Sequence, residues 1–302
     1  MDYLPFFFNT FMLLFWVRLW SAPEREFYFN PFLSGTVRLT DSILAFLRPV
    51  LNLPEQAAAA SILLFTVAFK TLMFARLHVN WTLSYGLDFR FTPLANEQHW
   101  GPLLLFSVFH FALFLLKFWS VCWFTKLITP PLRRTRAVEA LDFFARPFSR
   151  LPLFVQPVVL VALNFALAFA VVRTGELSVI NPISQETKAL AVSPFLAASL
   201  FEQLIKTGWL AALAVADGLE LQIRALFVFI VGNLGAALFQ AQAFLLICSE
   251  GVELLLGRFA RSRTSVSTGL DFTPLIFFFV VDMIYRGIGI GLSNLINTPL
   301  FN

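Results

Sequence analysis

An all-α polytopic membrane protein is the fold class this sequence predicts, and three observations predict it. Of 302 residues, 58% are hydrophobic and only 13% are charged, roughly half the charged share of a soluble globular chain. Mean hydropathy is +0.77, and phenylalanine alone supplies 38 residues. The apolar residues gather in runs near the ~20-residue length that a helix needs to cross a bilayer core.

Six such runs, at about 4–20, 57–77, 101–128, 153–172, 223–248 and 271–292, predict six transmembrane helices. A seventh stretch, 194–217, is nearly as long but holds Glu202, Gln203, Lys206 and Asp217, which lipid tolerates poorly. If all seven crossed, Arg258, Arg261 and Arg263 would fall opposite Arg133, Arg134 and Arg136, against the positive-inside bias. The expectation is therefore that 194–217 is a re-entrant or interfacial element. The basic connections 21–56, 129–152 and 249–270 then share the cytoplasmic side, while 78–100, 173–222 and both termini lie outside.

The six spans form three helical pairs, each built as helix, basic connection, helix, which reads as an internal repeat. The expected units are a first pair at 1–79, a second at 80–175, an extra loop and re-entrant element at 176–220, and a third pair at 221–302. The connections resemble one another. Val37, Leu39, Ile43, Phe46, Leu47 and Val50 share a helical face opposite Arg38, Asp41 and Arg48; Val138, Leu141, Phe144, Ala145 and Phe148 oppose Glu139, Asp142, Arg146 and Arg150. In the third, Val252, Leu255, Leu256 and Phe259 oppose Glu253, Arg258 and Arg261. Each predicts an amphipathic helix in the headgroup layer.

A net charge of +4 would raise nucleic acid as a partner for a soluble chain, but these cations flank apolar spans and read as topology and lipid-headgroup signals. Cys122 and Cys248 each lie inside an apolar run, which supports neither a disulfide framework nor a thiolate metal site. The run from Phe6 to Trp20 follows no basic n-region and precedes no A-x-A-like site, so the first span is expected to be retained. Nucleotide-binding, zinc-protease and nucleophile-elbow signatures are absent. No enzyme is expected.

Three fragments carry a resemblance to a known family. Glu26-Phe27-Tyr28-Phe29-Asn30-Pro31-Phe32 is followed by Leu47-Arg48-Pro49-Val50-Leu51; a second basic stretch reads Ala145-Arg146-Pro147-Phe148-Ser149-Arg150-Leu151-Pro152; and the last span opens with Gly269-Leu270-Asp271-Phe272-Thr273-Pro274. These resemble the N-P-F, P-x-R-like and G-x-D-[FL]-[ST]-P segments of the YggT/YlmG family of integral membrane proteins, here as three degenerate repeats where members usually carry one or two. In the third fragment Gly269 permits a turn and Asp271 suits a helix N-terminus whose first turn holds Pro274. A similar Gly86-Leu87-Asp88-Phe89 precedes Thr92-Pro93 in the second loop. The resemblance implies a bacterial or plastid membrane, with a bacterial inner (cytoplasmic) membrane the expected location, and a role in envelope organisation or assembly of membrane complexes; links of some relatives to osmotic tolerance and cation uptake imply a transport alternative.

Chemistry, if any, lies with polar residues inside the spans. Lys70, Asn164 and Asp282 stand at mid-depth in the second helix of each pair, where a charge is usually paired or lines a polar cavity. A Lys70–Asp282 pair across the bundle is one arrangement, and Arg286 one turn after Asp282 is a local alternative. His110 and Lys117 are seven residues apart and share a helical face. A single histidine within a span does not make a bis-histidine haem site, so no cofactor is expected. Asn233, Gln240 and Gln242, with Gly232 and Gly235, suit close helix packing. The leading expectation is a non-enzymatic membrane scaffold or assembly protein contacting lipid and other membrane proteins through Arg48, Arg146, Arg150, Arg258 and Arg261. An ion or small-solute channel or transporter, and an accessory subunit of an energy-transducing complex, are the alternatives.

Overall fold

The computed structural model describes residues 3–20, 28–51, 53–77, 82–93, 100–129, 135–180, 187–189, 195, 199–257, 259 and 273–298. Helix α1 (Tyr3–Trp20) packs on α3 (Glu55–Leu77), and α2 (Ser34–Leu51) lies between them in sequence. Helices α4 (Trp100–Ile128) and α6 (Gln156–Thr174) pack on each other, with the short α5 (Arg136–Phe144) between them in the chain. The long α7 (Leu200–Leu238) packs against α4 and α6, and then against α8 (Gln242–Leu256) and α9 (Thr273–Asn297).

Five described helices, α3, α4, α6, α7 and α9, are long and apolar enough to cross a membrane. α1 is apolar but shorter. This is a multi-pass membrane protein, and large apolar side chains such as Leu64, Phe65, Val158 and Met283 on its spans face outward, as a lipid-solvated surface requires.

The basic connections tie the ends of the helices together. The Asn30 carbonyl accepts from the Leu33 and Ser34 amides, its Oδ1 accepts from Phe32 N at 3.0 Å, and its Nδ2 donates to the Arg136 carbonyl at 2.9 Å. One asparagine thus starts α2 and fastens it to the start of α5, a role that suits its short amide side chain. Trp16 Nε1 donates to the Arg146 carbonyl at 3.2 Å. Arg18, buried at the end of α1, bonds Asp41 of α2 and lies 2.6 Å from Glu55 at the start of α3. Tyr28 also donates to Asp41, and that bond holds its phenol above the usual pKa.

Residues 200–217 of the expected element at 194–217 do not form a separate unit. They are the first half of α7, which runs without a break through Gly218 to Leu238. The charges that argued against a crossing are paired. Lys206 lies 2.8 Å from Glu202, Asp217 is bonded to Lys117 of α4, and Arg224 bonds Glu220. Gly218 is kept inside the helix by close packing, since a Cβ there would stand 2.4 Å from Ser120 Cβ. At 39 residues, α7 is ~58 Å long, about twice a bilayer core.

The expected single span at 223–248 is likewise corrected. The helix stops at Leu238, Gln240 takes a positive φ of 54°, and α8 begins at Gln242. α8 then folds back: Gln222 donates to the Leu255 carbonyl, and Gly232 faces Cys248. Gly257, just past α8, lies against Ile128 at the end of α4. The end of α8 therefore lies beside the end of α4.

A four-stranded antiparallel sheet, missed by the all-helical reading, joins two connections: β1 (Leu83–Tyr85), β2 (Phe89–Pro93), β3 (Gly175–Ile180) and β4 (Thr187–Ala189), in that order. β2 pairs with β3 from Phe89–Val179 to Pro93–Gly175. Strands from the α3–α4 connection and the α6–α7 connection therefore pair with each other.

Candidate functional site

The sheet does not lie flat on the helix ends. Gly175 at its outer margin sits against Phe106 of α4, whereas the β1–β2 turn reaches Lys117 and Asp217. From 106 to 117 a helix rises ~16 Å, about the length of the five-residue β2. The hairpin thus runs inward along the bundle. Whichever ~20 residues of the 29-residue α4 occupy the bilayer core, Lys117 is among them. Backbone at that depth must be enclosed by protein or line a cavity, and this hairpin does both: Leu83, Tyr85, Phe89 and Phe91 are buried.

Its turn is bound by charge. The Gly86 amide donates to both carboxylate oxygens of Asp217 at 3.1 Å. Gly86 has φ of 62°, a left-handed conformation that glycine adopts without cost. Lys117 Nζ donates to the Ser84 carbonyl at 2.8 Å and to Asp217 Oδ2 at 2.7 Å. Tyr285 of α9 donates to Asp217 Oδ1 at 3.1 Å and to Glu220 at 3.3 Å. Four elements, α4, α7, α9 and the hairpin, meet on one carboxylate.

A second polar group lies close by. Lys70 of α3 is fully buried and donates to Asn9 Oδ1 of α1 at 2.8 Å, while Asn9 Nδ2 stands 2.8 Å from His110 Nδ1. Lys70 Nζ is 3.4 Å from the same ring nitrogen. An ammonium has no acceptor, so Asn9 turns its oxygen to Lys70 and its amide hydrogens to His110. Nδ1 therefore accepts, and the imidazole carries its proton on Nε2.

The two groups border one cavity of about 500 Å³, walled by α1, α3, α4, α7 and the hairpin. Asn9, His110, Lys117, Asp217, Glu220 and Arg224 reach its surface, and Arg90 stands on the hairpin side. The cavity is within the usual range for a small-molecule site. Its charged lining carries both signs, held largely as preformed pairs. Among the described residues no group of three or more His, Cys, Asp or Glu is placed to hold a metal ion.

Of the residues singled out from sequence, His110 and Lys117 lie on this cavity and Lys70 directly behind it. Asn164 is buried in α6 and donates to the Leu160 carbonyl one turn back. Asp282 is bonded to Arg286 at 2.8 Å, on the outward side of α9 rather than across the bundle to Lys70. Arg146 and Arg150 flank the cis Arg146–Pro147 bond and the turn Phe148–Arg150; Arg150 is exposed and Arg146 half-buried over the Phe143 ring. Arg48 belongs to α2, but its side chain, Arg258, Arg261 and the Gly269–Phe272 motif lie outside the described residues. Gly86 and Asp88, whose motif likeness was noted in the second loop, form the hairpin turn.

Asn9, Glu220 and Tyr285 were not anticipated. A mid-span asparagine at position 9 was a visible signal, because polar side chains inside spans seek partners. Tyr285 carried none, since its hydroxyl partners lie on another helix. No protein-family model, curated protein or solved structure matches this chain.

Proposed function

We propose that this protein takes a small ion or polar solute into the charged cavity and conducts or transports it across a membrane. The observation that carries this reading is the re-entrant hairpin, whose backbone lines a charged cavity at bilayer depth. Broken or non-helical segments enclosing polar sites are the usual architecture of transport pathways. A cavity bordered by Lys117, Asp217, Glu220 and Arg224 suits a solute bearing both charges, or an ion that displaces one member of a pair.

The test is reconstitution of the purified chain in liposomes on a solid-supported membrane, with transient currents recorded on exposure to chloride, potassium, inorganic phosphate, glycine and betaine in turn. A current for at least one solute that is lost in His110→Ala and Asp217→Asn supports transport. Silence for every solute from correctly folded protein sinks it.

A scaffold role is the second reading, favoured by the surfaces of α2 and α5. On α2, Arg38, Leu39, Ser42 and Phe46 are exposed together, and on α5 Arg136 and Glu139 face outward above buried Ala137, Ala140 and Phe143. Mixed basic and apolar exposure suits the headgroup layer. Under this reading the arginines, Arg48, Arg146 and Arg150 included, hold lipid or partner proteins in a bacterial inner membrane, as the YggT/YlmG resemblance implies. Co-purification that survives reversal of those charges would discard it.

A further inference from the structure

We infer that α9 is a self-association surface, on which a second copy of this chain packs so that Arg286 of each protomer meets Asp282 of the other. Among the described residues α9 is buried along one stripe: Thr273, Phe277, Val281, Tyr285, Gly289, Ser293 and Ile296. On the opposite side Phe279, Met283, Arg286, Gly287, Ile290 and Asn294 are exposed, spaced as one helical face. Most of that face is apolar and would suit lipid. Arg286 does not, because it stands near the middle of a 25-residue span with 63% of its side chain exposed, and a charge there is costly in hydrocarbon.

The pair has unused bonding capacity. Arg286 Nε donates to Asp282 Oδ2, and among the described residues neither Arg286 Nη nor Asp282 Oδ1 has a partner. Two copies in one membrane share an orientation, so their twofold axis runs along the membrane normal and each residue of the face meets its own kind. Arg286 then lies beside the partner's Arg286 and within reach of the partner's Asp282. The four charges form a neutral ring that satisfies itself with no contribution from another protein. Gly287 follows Arg286 on the exposed face, and among the described residues a Cβ there meets nothing within 4 Å. Its lack of a side chain serves no packing need among the described residues of the protomer, but it lets a second helix backbone approach closely.

This inference is independent of the transport reading, and its test reads association alone. Ile290→Cys is introduced with Cys122 and Cys248 replaced by Ala, and native membranes are treated with copper phenanthroline. A cross-linked species of two chains is expected. Adding Gly287→Leu should reduce it about tenfold, the effect of losing one close helix approach, while leaving the protomer folded because the substituted side chain has open space around it. Arg286→Asp should abolish the cross-link and Asp282→Arg/Arg286→Asp restore it. Absence of a two-chain product from Ile290→Cys, a product with a different polypeptide, or a Gly287→Leu variant that cross-links undiminished overturns the proposal.

Discussion

Lys117 of α4 and Asp217 of α7 form an ion pair at 2.7 Å in which the two side chains are unequally enclosed, the lysine 20% exposed to the cavity and the aspartate 1%. That asymmetry decides how the pair breaks. Removing one member of a buried pair typically costs about 3–5 kcal/mol because the other is left uncompensated. After Lys117→Met the stranded group is a carboxylate only 1% exposed, which keeps the Gly86 amide and the Tyr285 hydroxyl but loses the cation that balanced its charge. After Asp217→Asn the stranded lysine retains Ser84 and open space, and the amide oxygen still accepts from Gly86. Lys117→Met is therefore expected to lower the unfolding midpoint in detergent more than Asp217→Asn does, with the double variant less destabilised than the sum. Equal losses, or simple additivity, would contradict this account.

The Lys70 group makes the same point without a carboxylate. Lys70 and Asn9 are both buried, and the amide is the lysine's acceptor. Asn9→Leu leaves the ammonium without that acceptor and takes from the His110 ring the nearer of its two donors, leaving Lys70 Nζ at 3.4 Å. Lys70→Met removes the costly group and leaves an amide that still bonds the imidazole. Thermal unfolding of the two purified variants should show Asn9→Leu as the more damaging by about 1–3 kcal/mol, the cost of an unsatisfied buried polar group.

These pairings explain what the sequence concealed. Lengths of apolar runs located α3, α4, α6 and α9 to within a few residues, because the bilayer sets a minimum length that needs no tertiary knowledge. The error lay at 194–217, where Glu202, Lys206 and Asp217 were judged as lipid-facing charges. Their cost depends on partners, and Asp217's partner is on another helix. The same blindness hid the hairpin: Leu83–Pro93 is too short to register as a span, and its depth follows from Gly86 finding Asp217. At the candidate site, His110 and Lys117 were legible from their seven-residue spacing, whereas Asn9 and Tyr285 became meaningful only beside the helices they touch.

Glycine substitutions on α7 and α9 should have opposite signs although both lie in helix interiors. Replacing glycine by alanine gains up to about 1 kcal/mol of helix propensity. At Gly287 the added methyl meets nothing within 4 Å, so that gain stands for the protomer. At Gly218 the methyl would lie 2.4 Å from Ser120 Cβ and 3.2 Å from its carbonyl carbon, which is backbone. Forcing α4 and α7 apart there costs about 1–3 kcal/mol, outweighs the propensity gain, and strains the Lys117–Asp217 pair next to it. Unfolding of monomeric detergent preparations should place Gly287→Ala at or above the parent and Gly218→Ala below it.

The hairpin turn supplies the last prediction. A Cβ at Gly86 would approach Leu213 Cδ2 to 2.5 Å, and φ there is +62°. The two penalties differ in origin. The clash is with the end of a side chain and is relieved by shortening it, whereas the left-handed backbone costs about 1–2 kcal/mol for any residue with a Cβ. Gly86→Ala should therefore destabilise the protein, and Gly86→Ala/Leu213→Ala should be less damaging than the two single losses added together. Because the Gly86 amide donates to Asp217, any shift of the turn also loosens the carboxylate that organises the cavity. Under the transport reading, Gly86→Ala should weaken solute-evoked currents in membranes where its folded fraction equals that of the parent. Full currents together with additive stability losses would show that the turn neither presses on Leu213 nor positions Asp217 for function.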